Sequence, residues 1–287
     1  MPELPEVEIV KRSLFKMING AKIINIKIIN EKLRYRVSHT FGQELIGKKI
    51  LKVSRRSKYL LFYFKDKILL VHLGMTGKFF IRRFEDNKIF KTSFYYDLKI
   101  LTKHNHIYFF LNNNRILIYN DVRKFGFFKV YNNKKINQIP FLKKLGPEPF
   151  SKKLNLNYYK NFTRNKKRNI KNLLMDQTFI SGLGNIYVNE CLFISRIHPL
   201  RECNRLKNKE ISNLIYNLKK ILKSSISKGG SSIRDFKNMF GKKGTFQQFF
   251  HVYGKENQNC SRISCNDKIK KILISNRSTF YCQNCQT

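Results

Sequence analysis

Apolar residues at Val7, Val10, Leu14 and Met17 recur at helical spacing, and Pro5 suits a first turn, so residues 3 to 18 are expected to form a helix. From about 21 to 131 the pattern changes to short β-rich runs: AKIINIKII, KKILKV, KYLLFYF, KILLVHL, KFFIRRF, IYFFL, RILIYND and FGFFKVY. Turn signals such as Asn112-Asn113-Asn114 and Asp66-Lys67 separate them. Many short strands with little helix predict an all-β sandwich or barrel-like unit. The segment LKKLGPEPF (142–150) has the Gly-Pro punctuation of a linker, and after it the period becomes helical. Ile170, Leu173 and Leu174 share one short helix expected to end at SGLG (181–184), and a second is expected from Asn185 to about Arg196. A third carries the stripe Ile211, Leu214, Ile215, Leu218, Ile221 and Leu222, with Asn208 as N-cap and Gly229-Gly230 as its end. No internal repeat is present. The pattern predicts an α+β, multidomain chain: β unit, linker, helical unit and a small cysteine-bearing tail.

Composition narrows the function. At 287 residues the chain has room for two domains or one large one, and 42% apolar content with 25 Phe supports a substantial core. No run approaches the ~20 apolar residues of a membrane span. The N-terminus carries acids where a signal peptide needs bases, so a cytoplasmic protein is expected. A net charge of +40 points to a polyanionic partner, most simply nucleic acid. The abundance of Lys, Asn, Ile and Phe, whose codons are AT-rich, discounts part of that charge as genome composition.

Of six cysteines, Cys191 and Cys203 lie apart in the middle, while Cys260, Cys265, Cys282 and Cys285 crowd the end. Their C-x4-C-x16-C-x2-C spacing fits a tetrahedral zinc site on a β-hairpin, structural because four sulfur ligands leave no open position. So small a tail would draw its folding energy from the metal. Arg262, Lys268, Lys270, Lys271 and Arg277 surround the pairs, so the tail could also meet nucleic acid.

The first eight residues, MPELPEVE, hold Glu3, Glu6 and Glu8 and no base, where an even spread of the 18 acids would put about 0.5. Acids and a proline at a helix start are ordinary capping chemistry. They are also the makings of a catalyst. With Met1 removed, Pro2 presents a terminal secondary amine with a pKa of roughly 8, leaving on the order of 10% neutral at pH 7. Such an amine is suited to attack an aldehyde-like sugar carbon and form an iminium, with Glu3 beside it to give or take a proton.

Taken with RRSKYL (55–60), HLGMTGKF (72–79), KHNHI (103–107), NDVRKFG (120–126), LGPEPF (145–150), MDQTFISGLGNIYVNE (175–190), KGGSSIRDF (228–236), GTFQQFFHVYG (244–254) and NRSTFYCQNC (276–285), in that order, the chain resembles the bacterial formamidopyrimidine-DNA glycosylases along its whole length. The resemblance implies an N-terminal catalytic β-sandwich domain with a flanking helix over 1–132 and a linker over 133–150. A helix–two-turn–helix DNA-binding domain with a lesion-capping loop would follow over 151–249, and a zinc finger over 250–287. It implies a monomeric bifunctional glycosylase/lyase of base-excision repair. The partner would be double-stranded DNA containing oxidised purines such as 8-oxoguanine and formamidopyrimidines, and the cofactor one structural Zn2+.

Residue by residue, the resemblance makes Pro2 the nucleophile at C1′, Glu3 the proton shuttle with Glu6 in support, and Lys58 a lysine near the lesion phosphate. Met75, Arg123 and Phe125 match three residues inserted into the duplex when the damaged base is flipped out, Arg123 bonding the widowed cytosine. On residue pattern alone Met75 and Phe125 read as core, and His72 as a satisfied core histidine; the resemblance reverses those readings. His72, His104, Asn185 and Arg277 become DNA contacts, SGLGN a backbone turn against DNA, and Arg234 and Thr245 members of a loop closing over the everted base. Two departures stand out. The first zinc pair is C-x4-C where the family usually has C-x2-C, and Asn105 replaces a common Asp. Two rivals are an endonuclease VIII-like glycosylase for oxidised pyrimidines and a non-catalytic zinc-dependent DNA-binding protein. Leu4 and NDVRKFG disfavour the first, and retention of Pro2, Glu3, Lys58 and the inserted trio disfavours the second.

Overall fold

The computed structural model describes residues 1–86, 89–91, 101–231 and 246–287. The chain forms two compact units, residues 1–143 with 226–247 and residues 144–225 with 248–287.

The first unit opens with α1 (Leu4–Ile18), which buries Leu4, Val7, Val10, Leu14 and Ile18 on one face. Glu3 is its N-cap and Pro5 sits in the first turn, where a missing N–H costs nothing. At the other end the Arg115 guanidinium donates to the Met17 carbonyl, satisfying one of the acceptors a helix C-terminus leaves open. The expected all-β unit is a sandwich of two antiparallel sheets. One has the order β1-β7-β8-β5-β6 (Ile23–Ile28, Asn105–Leu111, Arg115–Asn120, Lys78–Arg83, Ile89–Lys91). The other has the order β2-β3-β4-β9 (Lys52–Arg56, Tyr59–Tyr63, Lys67–His72, Phe127–Asn132).

Between them Phe62, Phe64, Leu69, Phe79, Phe109 and Phe128 belong to one core, with edge-to-face ring pairs such as Phe79–Phe128 at 6.2 Å. The opposite face of β3 and β4 is covered too. Leu61, Ile68, Leu70 and Phe127 pack under Ile139, Phe141 and Leu142, the last two from α3 (Pro140–Lys143). Burial on both faces is why YLLFY and KILLVH read as continuous apolar runs and not as alternating ones. The five-residue α2 (Phe41–Leu45) was not expected; it is too short to display a helical period.

In the second unit, α4 (Leu156–Thr163) and α5 (Ile170–Met175) are capped by Asn155 and Asn169, each accepting a backbone N–H three residues on. α5 stops at Met175, before the expected SGLG. Asp176 takes the Thr178 N–H and hydroxyl on its carboxylate and turns the chain out of the helix. α6 (Asn185–Ile194) is buried nearly all round, through Tyr187, Val188, Cys191, Leu192 and Phe193. α7 (Asn208–Ser227) includes Asn208 instead of being capped by it, since the Glu210 carboxylate reaches back to the Lys207 N–H at 2.7 Å. Gly229 and Gly230, both at φ +81, end it as expected. The tail folds into the hairpin β10 (Ile269–Ile274) and β11 (Arg277–Cys282). Among the described residues no helix is long and apolar enough to cross a membrane.

Candidate active site, nucleic-acid contacts and metal centre

Met1 is exposed, and Pro2 and Glu3 behind it are buried. The Glu6 carboxylate holds this turn. Its Oε2 accepts the Glu3 N–H at 2.9 Å, and its Oε1 accepts the N–H and hydroxyl of Ser231 at 3.0 and 2.9 Å. Glu8 faces Arg55 at 3.0 Å, with Lys11 and Arg12 on its other side. Burial would raise its pKa, but these cations, Arg55 foremost, hold the carboxyl below its ordinary value. Arg55 also donates to the Ser57 carbonyl at 2.9 Å, inside the turn joining β2 to β3. Ser57 is left-handed there (φ 56), and Lys58 follows it, buried. The ion pair Glu8–Arg55 thus ties the helix that Pro2 and Glu3 lead into to the turn carrying Lys58. With Met1 attached the Pro2 nitrogen is an amide and has no nucleophilic lone pair; the amine exists only after Met1 is removed.

Met75 and Phe125 are not core. They are 38% and 42% exposed, at the tips of the turns 73–77 and 121–126. The Arg123 guanidinium lies 4.5 Å from the centre of the Phe125 ring. The two turns interlock through backbone. A Cβ on Gly74, already at φ +63, would come 2.4 Å from the Phe125 carbonyl carbon. A Cβ on Gly126 would meet the Tyr119 hydroxyl at 1.8 Å. Side chains cannot separate these strands of chain, so the three expected insertion residues belong to one surface.

His72, at the end of β4, is half-buried and stacks on Phe127 at 5.5 Å. Burial, with Lys58 and Arg34 nearby, lowers its pKa to about 4, so the ring is neutral near pH 7. Its Nδ1 accepts the Gly74 N–H at 3.0 Å, which leaves the ring proton on Nε2 as a donor. His104 is half-buried, and its carbonyl accepts the Asp121 N–H at 3.0 Å. Asn105 is buried; its oxygen accepts from Asn120 at 2.8 Å and its amide donates to the Tyr108 hydroxyl at 3.0 Å. An amide serves both partners without placing a charge there.

In the second unit Asn185 opens α6 and donates to the Ser278 carbonyl at 2.8 Å. Arg277 is exposed at the foot of a two-residue hairpin turn whose Ser275 and Asn276 are both left-handed (φ 49 and 57), the conformation that matches hairpin twist. Two supports for the tail and its hairpin were not foreseen. Lys171 is buried beneath it, donating to the Thr279 hydroxyl and, at 3.4 Å, to the carbonyls of Arg277 and Ser278. Burial and the Arg277 charge bring its pKa down to about 8. Glu190, on α6, accepts the backbone N–H groups of His251, Val252 and Tyr253 at 2.8, 3.0 and 2.8 Å. Neither carries a sequence signal beyond being a polar residue on an apolar helix. Arg234 and Thr245 lie outside the described residues.

The side-chain sulfurs of Cys260, Cys265, Cys282 and Cys285 all lie within 4.8 Å of one another, with Cys260–Cys285 at 3.8 Å and Cys265–Cys282 at 3.6 Å. Sulfurs about 2.3 Å from a tetrahedral centre stand roughly 3.8 Å apart, so the four residues fit a metal ion. The longer first knuckle does not spread them. Its Ile263 is fully exposed, while Arg262 turns back to donate to the Phe193 carbonyl at 2.9 Å, near the end of α6.

Known proteins bear on this arrangement. The family model described as the formamidopyrimidine-DNA glycosylase N-terminal domain matches residues 1–128, and that described as the formamidopyrimidine-DNA glycosylase H2TH domain matches residues 145–237. A formamidopyrimidine-DNA glycosylase of Rickettsia massiliae is 42% identical over 287 residues, covering 100% of this chain and 97% of the relative. One from Bartonella tribocorum is 40% identical over 297 residues and covers 100% of both. Among solved structures, the Lactococcus lactis Fpg in complex with DNA containing an abasic site has a TM-score of 0.86 at 37% identity, covering 99% of each chain. A variant of that enzyme with DNA containing Fapy-dG has a TM-score of 0.88 at 36% identity, covering 100% of each. The chain belongs to the formamidopyrimidine-DNA glycosylase family.

Proposed function

We propose that this protein excises oxidised purines, 8-oxoguanine and formamidopyrimidines, from double-stranded DNA and then cuts the strand at the resulting site, as a monomeric glycosylase and lyase of base-excision repair. The observation that carries the reading is the paired turns of the sandwich. An apolar Met75 and Phe125 exposed beside Arg123 have no use in a core, and they suit the filling of a gap in a duplex whose damaged base has been turned out. Relatives solved with abasic-site and Fapy-dG DNA support the substrate class.

The chemistry follows from the terminus. Once Met1 is removed, the Pro2 amine attacks C1′ and the glycosidic bond breaks, its electron pair leaving with the base, which takes up a proton. Glu3 protonates O4′ as the sugar ring opens, and an iminium joins Pro2 to C1′. Loss of a C2′ proton then expels the 3′ phosphate, and a second elimination expels the 5′ phosphate. Water hydrolyses the remaining imine and frees Pro2. Lys58 holds the phosphate beside the lesion. His72, through Nε2–H, along with His104, Asn185, Arg234 and Arg277, binds the DNA backbone, and Arg123 pairs with the orphaned cytosine.

Cys260, Cys265, Cys282 and Cys285 hold one Zn2+, which supplies folding energy to the tail and takes no part in the reaction. The four segments 1–132, 133–150, 151–249 and 250–287 divide the work between catalysis, connection, backbone binding and the finger. With genomic DNA as substrate, the protein works in the cytoplasm.

Borohydride trapping on an 8-oxoguanine:C duplex, with intact-mass analysis of the free protein, tests this reading. The expected result is a covalent adduct on a chain lacking Met1, absent in Pro2→Gly. Retained Met1, or trapping equal to that of the variant, would leave only a DNA-binding protein. Faster cleavage of a thymine-glycol duplex would move the substrate to oxidised pyrimidines.

A further inference from the structure

Asp121 is fully buried, yet no lysine or arginine side chain pairs with it among the described residues. Its charge is met by hydrogen bonds alone. Oδ1 accepts from the Thr76 hydroxyl and, at 3.3 Å, from the Arg123 N–H. Oδ2 accepts from the Tyr119 hydroxyl at 3.0 Å and the Gly126 N–H at 2.9 Å. Thr76 completes a closed circuit, because its hydroxyl oxygen also accepts the Arg123 N–H at 3.1 Å. From behind, the ring of His106 donates through Nε2 to the Asp121 carbonyl at 2.8 Å. The circuit spans both turns: Thr76 follows Met75, and Asp121 takes the N–H groups of Arg123 and Gly126 on either side of Phe125. A Cβ on Gly74 would stand 2.4 Å from the Phe125 carbonyl carbon, so the backbones of the two turns lie directly against each other.

We propose that Asp121 and Thr76 form a latch that fixes the turn carrying Met75 to the turn carrying Arg123 and Phe125, making both of them positioning residues for base eversion. The inference rests on the reading of those three side chains as the inserted wedge. Opening a stacked step costs a few kcal/mol, and ordering loose backbone costs about 1–2 kcal/mol per residue more. A wedge already fixed in its inserting shape avoids the second cost. A buried carboxylate suits this task because its hydrogen bonds are charge-assisted and stronger than neutral ones.

The test uses the full-length zinc-loaded protein with Thr76→Val, which keeps shape and removes the hydroxyl, and Thr76→Ser, which restores it. Two substrates separate the steps: a duplex with 8-oxoguanine next to 2-aminopurine, whose fluorescence rises when stacking breaks, and a single-stranded oligonucleotide with a preformed abasic site, which needs no wedge. Thr76→Val is expected to slow duplex excision and the fluorescence rise together by about tenfold or more, while single-strand cleavage stays within about twofold. Thr76→Ser is expected to recover the duplex rate. Unchanged duplex excision in Thr76→Val overturns the latch, and so does an equal loss on both substrates, which would mark general damage to the fold. Met75→Ala separates the premise from the inference. If Met75→Ala is slow on duplex and Thr76→Val is not, only the latch fails. If Met75→Ala itself excises at the full rate, the wedge reading fails and the latch with it.

Discussion

Replacing Glu190 by glutamine tests how the cysteine tail is fastened to the helices of its own unit. The carboxylate is buried on α6, and three successive N–H groups, those of His251, Val252 and Tyr253, converge on it within 3.0 Å. A glutamine oxygen placed where Oε1 stands still accepts from Val252 and Tyr253, as a neutral acceptor. Its amide nitrogen then faces the His251 N–H, leaving two buried donors opposed. Stranding the His251 donor costs about 1–3 kcal/mol and the lost charge assistance at the other two bonds about 0.5 kcal/mol each, so about 2–4 kcal/mol in total is expected. For a chain of this size each kcal/mol moves the melting temperature by roughly 2–4 °C, so a drop on the order of 5–15 °C should follow. Urea and thermal unfolding of the zinc-loaded variant would measure the loss, and amide exchange at residues 251–253 would localise it. A change below about 0.5 kcal/mol, with protection at 251–253 intact, would mean that water already shares these hydrogen bonds and that the tail is held by its apolar contacts.

Two further outcomes are expected. In an NMR titration His72 should change protonation at about 4, well below its ordinary value of 6.5. Its depressed folded pKa makes its contribution to stability complete above about 6.5 and lost as pH falls toward 4, so acidifying from pH 7 to 5 should cost about 2 kcal/mol through this group; a midpoint of 6 or higher would refute the desolvated, neutral ring. Removing metal with a chelator should abolish amide protection along β10 and β11, because Cys260, Cys265 and Cys282 are themselves part of the small core around Phe193, Val252 and Ile269. Protection that survives chelation, with zinc gone by elemental analysis, would show that this core stands without it.

The parts of the molecule written in local pattern are legible in the sequence. The first helix, the main strands of the sandwich, the stripe of α7 and the paired cysteines each rest on a spacing that a single segment displays. What remained hidden depends on partners far away in sequence. Nothing near Met75 says that it is exposed, because the turn that holds it outward is bound to residues 121–126. Asp121 looks like a turn aspartate in NDVRKFG until Thr76 and Tyr119 are seen on its carboxylate. Lys171 and Glu190 sit on apolar helices where their own neighbours predict an awkward burial; the acceptors and donors that satisfy them arrive from the tail. Asn105 is of the same kind. Its departure from aspartate has no reading until Asn120 and Tyr108 are found at its two amide ends.

In the opening octet, capping and the proposed catalysis are compatible. Its three acids do three different things. Glu6 spends both oxygens on holding the first turn and the residue that precedes the segment 232–245, through Glu3 and Ser231. Glu8 is committed to Arg55, and through it to the turn beneath Lys58. Glu3 caps the helix: the Val7 N–H bonds to its carbonyl at 3.1 Å, and its side chain and that of Glu6 form the reciprocal capping box of this turn. A proton carrier next to a nucleophile needs a fixed position, and in the proposed reaction the capping box and the Glu8–Arg55 pair supply it for Glu3.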